Sequence, residues 1–297
     1  MREGLTVASY NIHRAVGADR RKDPLRIAET IAELDADLIA LQEVETPVRD
    51  TPLIFLQRLA ELGYEARLGH TLQRGAHHYG NLLLSRLPVL SHHLLDISQP
   101  GREPRGLIDV RITLAPLSEQ ADAGLPLDAG SSVDAGSSVG VGASAGTGSL
   151  LDRGLLADAS SPGDAVPLVL RCLATHLGLS AAERRHQIAA ICSHLCDTVP
   201  AGCDLTVLMG DFNEWRRNSP RLAPIDRLLR PAAMPASFPS RWPLFALDRL
   251  WHGPGLELVE GSVVNTSATR AASDHLPLRA RLRLRSRADA ARESAAC

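Results

Sequence analysis

The chain has 297 residues, 44% hydrophobic and 22% charged, with a formal net charge of −2. These values suit a globular protein of one or two domains and exclude a molecule drawn as a whole onto polyanions; a local basic patch remains compatible with them. No stretch approaches the ~18 consecutive apolar residues of a membrane-crossing helix. The opening MREGLTVASYNIH runs straight into a strand instead of forming a secretion signal. Five cysteines at no metal-type spacing fit a reduced, cytoplasmic protein. Cys192 and Cys196, four apart on an expected helix, read as packed thiols.

Residues 5–12 are short and apolar, a buried strand. Asp23-Pro24 then caps a helix and supplies proline at its first position, and Ile27, Ile31 and Leu34 share one face of it. Residues 37–44 (DLIALQEV) form a second strand. Thr51-Pro52 repeats the cap signal for a helix ending at Gly63. Residues 80–85 (GNLLLS) read as a buried strand closed by Pro88. From Gly106 to Leu114 the pattern alternates, with Ile108, Val110, Ile112 and Leu114 on one face and Asp109, Arg111 and Thr113 on the other.

Residues 166–176 are another apolar run. Ser180 to Glu183 has capping-box spacing and opens a helix to about Leu195. Leu205 to Met209 is a strand that ends in GDFN. Further strands are expected near 245–251, 256–264 and 276–285. The last carries Arg279, Arg281, Arg283 and Arg285 on one face, which reads as a solvated strand face more readily than as a phosphate site. The pairs His77-His78 and His92-His93 read as loop surface.

Between about Ala115 and Asp164 the composition changes. DAGSSV occurs twice in tandem, at Asp128 to Val133 and Asp134 to Val139, and a Gly/Ala/Ser stretch follows. Too little apolar side chain is present to offset ordering entropy, so disorder is expected. The strands on either side look like partners, which makes the segment an insertion in a β-hairpin turn. Such an insertion costs little, because closure entropy rises only logarithmically with length. Residues 1–285 are then a single domain interrupted at about 115–164, with a flexible tail over 286–297. Strands and helices alternate, but some neighbouring strands are hairpin-connected. Mixed sheets packed on each other, with helices outside, satisfy both observations.

Polar residues collect where the apolar runs stop. Asn11 follows the first strand and Glu43 ends the second. His176 ends a third, and Asp211 with Asn213 ends a fourth. Asp248 lies in LDRLW, and Asp274-His275 in SDHLPL. Singly, each has an ordinary explanation as a turn former, a cap, a surface carboxylate or a partner for an arginine. Together, in order and at strand ends, they describe a site built on one edge of a sheet scaffold.

The segments SYNIH, LQEV, YGNLLLSRLP, THLG, GDFN, LDRLW and SDHLPL, from Ser9 to Leu278, resemble the endonuclease/exonuclease/phosphatase superfamily. Its members include DNase-I-like nucleases, AP endonucleases, sphingomyelinases and inositol-phosphate phosphatases. The stretch from Ser9 to Val44 looks like small bacterial members of uncertain substrate. The resemblance implies a four-layer α/β sandwich with two central mixed β-sheets. It also implies a metal-dependent hydrolase of phosphate esters, most simply a phosphodiesterase. The alternatives are a phosphomonoesterase on a small metabolite, or an inactive binding protein on the same fold.

Hydrolysis of a phosphate ester brings water to a charged phosphorus and adds charge to its oxygens. A hard cation with oxygen ligands suits that task, and Mg²⁺, with Mn²⁺ as the alternative, is expected. The resemblance makes Glu43 the leading ligand, with Asn11 and Asp274 as helpers. Asp211 matches the residue that orients or deprotonates the attacking water, and Asn213 holds or polarises the phosphate. His176 and His275 donate to non-bridging oxygens as charge grows. Asp248 accepts from His275 and keeps it a good donor. Weaker candidates for phosphate contact are His13, Asn81 and Arg105.

THLG lacks the tyrosine segment of AP endonucleases, which makes AP-site repair a poorer fit. The expected partner is a phosphate-ester substrate: a nucleic acid, a lipid headgroup or a small molecule. No partner protein is evident. Near-zero net charge argues against a processive nuclease, and the absence of a secretion signal argues against an extracellular toxin.

Overall fold

The computed structural model describes residues 4–48, 54–114, 168–198 and 205–285. The expected insertion at 115–164, the tail over 286–297 and the Thr51-Pro52 cap lie outside these residues.

The first half of the chain begins with β1 (Leu5–Asn11), α1 (Pro24–Leu34), β2 (Leu38–Pro47) and α2 (Ile54–Glu61). Four strands follow: β3 (Glu65–Arg74), β4 (His77–Ser85), β5 (Val89–Asp96) and β6 (Gly106–Leu114). From residue 168 come β7 (Leu168–His176), α3 (Ala181–Thr198), β8 (Thr206–Asp211), α4 (Ala223–Asp226) and β9 (Arg230–Pro231). The chain ends on β10 (Asp248–His252), β11 (Leu256–Val263), α5 (Ser267–Ala272) and β12 (Leu278–Leu284).

The strands form two six-stranded sheets, ordered β11-β12-β1-β2-β4-β3 and β5-β6-β7-β8-β10-β9. Each is mixed. The pairs β1–β2 and β7–β8 are parallel, and the neighbours around them are antiparallel.

Alternation on the strands dictates the layering. One face of each sheet contributes Val7, Leu38, Leu83, Val110, Leu170, Met209 and their neighbours to a shared core between the sheets. The opposite face of the first sheet packs Tyr10, Ile39 and Leu82 on Ile27, Ile31 and Leu59 of the helices. The opposite face of the second packs Leu107, Leu173 and Leu208 on Ile188, Ile191 and Ile225. Helices, sheet, sheet and helices therefore stack as four layers, the architecture implied by the family resemblance.

Local signals act where the sequence places them. Asp23 accepts from the Arg26 amide at the start of α1, and Ser180 and Glu183 exchange bonds at the start of α3. β6 and β7 pair antiparallel, with Leu114 opposite Leu168. On β12, Arg281 and Arg283 are exposed and ion-paired to Glu260 and Glu257 of β11, as a solvated face requires.

Two expectations fail, and two strands arrive unannounced. β3 and β5 are strands that no clear alternation announced. His77-His78 and His92-His93 lie in β4 and β5 instead of in loops. β3 and β5 are edge strands, held by one neighbour's backbone ladder, so their side chains carry little periodic signal. Cys196 is exposed, not the packed thiol expected, whereas Cys192 is half-buried and packs against the core beneath α3.

The parallel pair β7–β8 sets the strictest local requirement. Gly210 has φ +152°, and a Cβ there would lie 2.0 Å from the Thr175 carbonyl oxygen, a backbone atom with no room to yield. Gly210→Ala is expected to cost about 3 kcal/mol or more, read as a lower urea midpoint. An unchanged midpoint would show that the two strands can part without loss.

Candidate active site

Strand register explains why residues far apart in sequence meet. On the second sheet, His176 ends β7 directly opposite Asp211, which ends β8, and Asp248 opens β10 opposite Asp211 on its other side. On the first sheet, Asn11 ends β1 opposite Gln42 of β2. The β2–β4 register shifts between Leu41 and Val44, so Gln42 and Glu43 together face Asn81. This is a β-bulge, a device that re-aims a side chain. The two strand-end rows lie at the same edge of the sandwich.

Backbone strain marks the same places. His13, Glu43 and Asn213 have φ of 46°, 58° and 49°, in the left-handed region that non-glycine residues rarely adopt. Strain of this kind persists where surrounding structure holds it, and it gathers at functional sites.

Asp211 is the hub. Its buried carboxylate accepts from Asn11 Nδ2 at 3.0 Å and from the Asn213 amide at 2.9 Å. His176 Nε2 and His275 Nε2 approach its Oδ2 at 3.6 and 3.8 Å. Asn11 Nδ2 also donates to Glu43 Oε1 of its own sheet at 3.2 Å, and its bond to Asp211 joins the two sheets' contributions. His275 Nδ1 lies 2.8 Å from Asp248 Oδ2. Asn213 Nδ2 donates to the Leu177 carbonyl at 2.9 Å and touches His176 Nε2 at 3.2 Å.

The electrostatics separate these groups. Burial raises the Asp211 carboxyl from 3.8 to about 6, with His275 opposing and Asp248 adding to the rise. Burial lowers His275, but the charge and hydrogen bond of Asp248, with Asp211 and Asp274, reverse that and raise it to about 10. Burial, then the Arg105 guanidinium and His275, hold His176 well below the ordinary value. One histidine is therefore cationic and the other neutral near pH 7.

The remaining candidates divide. Asp274 is half-exposed, and its Oδ1 lies 3.7 Å from His13 Nδ1. His13 uses its amide on Asn11 Oδ1 and its ring on the Val16 carbonyl, so it orients Asn11. Asn81 is buried and donates across to the Gly106 carbonyl of the other sheet, a bond that ties the two sheets together. Arg105 is buried, with Nη1 on His176 Nδ1 at 2.9 Å and Nη2 on Glu103 at 3.0 Å. It therefore approaches His176 from the side away from Asp211, not from the open site.

Two hydroxyls escaped the sequence reading. Ser273 Oγ donates to the Asn11 carbonyl at 2.8 Å and receives the His275 amide, locking the SDH turn onto β1. Ser237 donates to Asp248. Ser273 could have been found, since it leads SDH; nothing in the sequence distinguishes Ser237.

Among the described residues, no group of three or more His, Cys, Asp and Glu side chains is arranged to hold a metal. Glu43 and Asp274 supply carboxylates of the kind a hard cation takes, one or two with water and substrate completing its shell, whereas Asn11 turns Nδ2 to Glu43 and its oxygen to the His13 amide. Carboxylate oxygens suit a hard divalent cation rather than a closed zinc-type site of thiolates and imidazoles. No described helix is long and apolar enough to cross a membrane.

Comparison with known proteins agrees with this geometry. The sequence pattern of the Endonuclease/Exonuclease/phosphatase family matches residues 8–275, and the chain belongs to that family. The uncharacterized protein YbhP of Escherichia coli K12 is 26% identical over 305 residues, covering 94% of this chain and 96% of the relative. An endonuclease/exonuclease/phosphatase of Beutenbergia cavernae superposes with a TM-score of 0.64 at 21% identity, over 95% of this chain and 72% of that one. A mannosyl-6-phosphatase of Bacteroides thetaiotaomicron superposes with a TM-score of 0.59 at 15% identity, over 94% and 99%. Members of the family are generally phosphoester hydrolases and typically depend on a divalent metal.

Proposed function

We propose that the chain is a metal-dependent phosphodiesterase that hydrolyses its substrate by direct attack of water. The observation that carries this reading is the convergence on Asp211. A buried carboxylate raised to about 6 is poised to take a proton near neutral pH, and it stands beside two imidazole nitrogens and two amides. In the mechanism, Asp211 orients the attacking water and accepts its proton. His275, cationic through Asp248, and His176, neutral, donate to non-bridging oxygens as negative charge grows on them. The Asn213 side chain steadies the phosphoryl group. Glu43, with Asp274, would hold a divalent cation, which when bound neutralises phosphate charge and polarises the ester.

A diester is favoured over a monoester on charge. A diester carries one negative charge and a monoester close to two. The guanidinium hydrogen-bonded to a site residue, Arg105, faces away from Asp211 and is already paired with Glu103. His275 then adds one positive charge to that of the divalent cation. The competing phosphomonoesterase reading draws on the mannosyl-6-phosphatase, which shares the fold at 15% identity. Substrate class, whether nucleic acid, lipid headgroup or small molecule, is not determined by fold.

The test is hydrolysis of bis-p-nitrophenyl phosphate and p-nitrophenyl phosphate by pure protein with Mg²⁺, Mn²⁺ or EDTA. Metal-dependent release from the diester is expected. Release from the monoester alone would replace this reading with a phosphatase, and metal-independent release would remove the cation from it.

A further inference from the structure

The two histidines that flank Asp211 are wired in opposite senses. His275 turns Nδ1 toward a carboxylate, Asp248 Oδ2 at 2.8 Å, so Nδ1 must carry a hydrogen. His176 turns Nδ1 toward a guanidinium, Arg105 Nη1 at 2.9 Å. Guanidinium has five N–H donors, no acceptor, and does not deprotonate in proteins. The lone pair at that contact must therefore belong to His176 Nδ1.

We propose that Arg105 is a positioning residue that fixes His176 as the neutral tautomer protonated on Nε2, aimed at the phosphoryl oxygens. The Glu103 carboxylate, 3.0 Å from Arg105 Nη2, holds the guanidinium in place behind the ring. The order carboxylate, guanidinium, imidazole lone pair is thus the polar inverse of the Asp248–His275 pair. Each arrangement ends in an Nε2–H near Asp211 Oδ2, at 3.6 Å for His176 and 3.8 Å for His275. The site gains two donors while carrying a single imidazolium charge.

A competing contact must be weighed. Asn213 Nδ2 lies 3.2 Å from His176 Nε2 and would suit the other tautomer. In that tautomer a hydrogen on Nδ1 would point at the Arg105 N–H across 2.9 Å, two donors face to face. A hydrogen bond with a charged partner is roughly twice as strong as a neutral one, and the guanidinium contact is also the shorter. Asn213 keeps its bond to the Leu177 carbonyl at 2.9 Å in either case, so it loses little when Nε2 is protonated. The low proton affinity of the ring, to which burial contributes most and Arg105 next, agrees with this assignment. Burial of Arg105 against His176, with both terminal nitrogens engaged, also explains why a surface phosphate contact is the poorer account of this residue.

The catalytic consequence rests on the phosphoesterase reading above; the tautomer does not. The experiment is therefore ring-nitrogen NMR on the metal-free, full-length protein, with His176 assigned by its loss in His176→Gln. The wild type is expected to show a pyridine-type Nδ1 and a pyrrole-type Nε2. Arg105→Met should move the ring toward Nδ1–H or an averaged mixture. It should also lower kcat on bis-p-nitrophenyl phosphate by about 10–100-fold, the usual effect of losing a supporting partner, with KM little changed. Arg105→Lys, which keeps a charged donor, should restore the wild-type nitrogen pattern and most of the rate. A wild-type ring carrying its proton on Nδ1, or an Arg105→Met ring identical to wild type, overturns the proposal. If no phosphate ester is turned over, the nitrogen pattern still decides it. If Arg105→Met does not fold, the wild-type and Arg105→Lys spectra decide it.

Discussion

Replacing Asp211 with asparagine is expected to lower turnover of bis-p-nitrophenyl phosphate by about 10³-fold or more while the protein stays folded. Asparagine has the same shape, but Asn11 Nδ2 and the Asn213 amide use different oxygens of Asp211, so its single amide oxygen can keep only one of the two bonds. What it cannot do is accept the proton of the attacking water. The same carboxylate is a burden on the fold. Its native value of about 6 lies above the ordinary 3.8 because burial disfavours the charge. Between those values the native state binds more protons than the unfolded chain, so unfolding free energy falls as pH rises across the window. In EDTA, Asp211→Asn should therefore flatten the stability profile from about pH 4 to about pH 6, offset by the loss of one buried hydrogen bond. Urea midpoints at each end of that window check the sign. Turnover within about tenfold of wild type would remove Asp211 from the chemistry.

Much of this molecule is legible in the sequence, for reasons of periodicity. The apolar runs of β1, β2, β7 and β8 are buried on both faces, so they read as strands without alternation. Polar side chains at the ends of such runs have ordinary uses singly, and their recurrence in order at several strand ends is why GDFN and SDH stood out. β3 and β5 were invisible because an edge strand's polarity follows solvent on both sides. The bulge that turns Glu43 was invisible as well, since LQEV looks like continuous strand and only pairing with β4 shows two residues opposite Asn81. Arg105 shows the limit most plainly. Its place just before β6 suggested a phosphate contact, whereas its partners are Glu103 and His176, the latter 71 residues away. No local pattern encodes a contact of that span; it follows from Leu107 of β6 pairing with Thr175 of β7.

Glu43 shows how the site draws on the stability of the scaffold, and its substitution separates the two. Glu43→Gln keeps the side-chain shape, and its amide oxygen can still receive Asn11 Nδ2, so the fold should persist. The charge that attracts a divalent cation is gone, and Mg²⁺ affinity is expected to fall by about 100-fold or more, with turnover falling alongside it. Calorimetric titration of Mg²⁺ into EDTA-stripped protein measures the first directly. Glu43→Gly tests the backbone. At φ 58° a glutamate bears strain of about 1–3 kcal/mol that glycine does not. Glycine costs about 0.5–1 kcal/mol in extra chain entropy. The strain is the larger quantity, so Glu43→Gly should be as stable as wild type or more stable, yet bind Mg²⁺ no better than Glu43→Gln. Unchanged affinity in Glu43→Gln would move the cation elsewhere. A Glu43→Gly protein weaker by about 2 kcal/mol would show that the left-handed turn is unstrained and that the glutamate side chain supports the fold as well as the site.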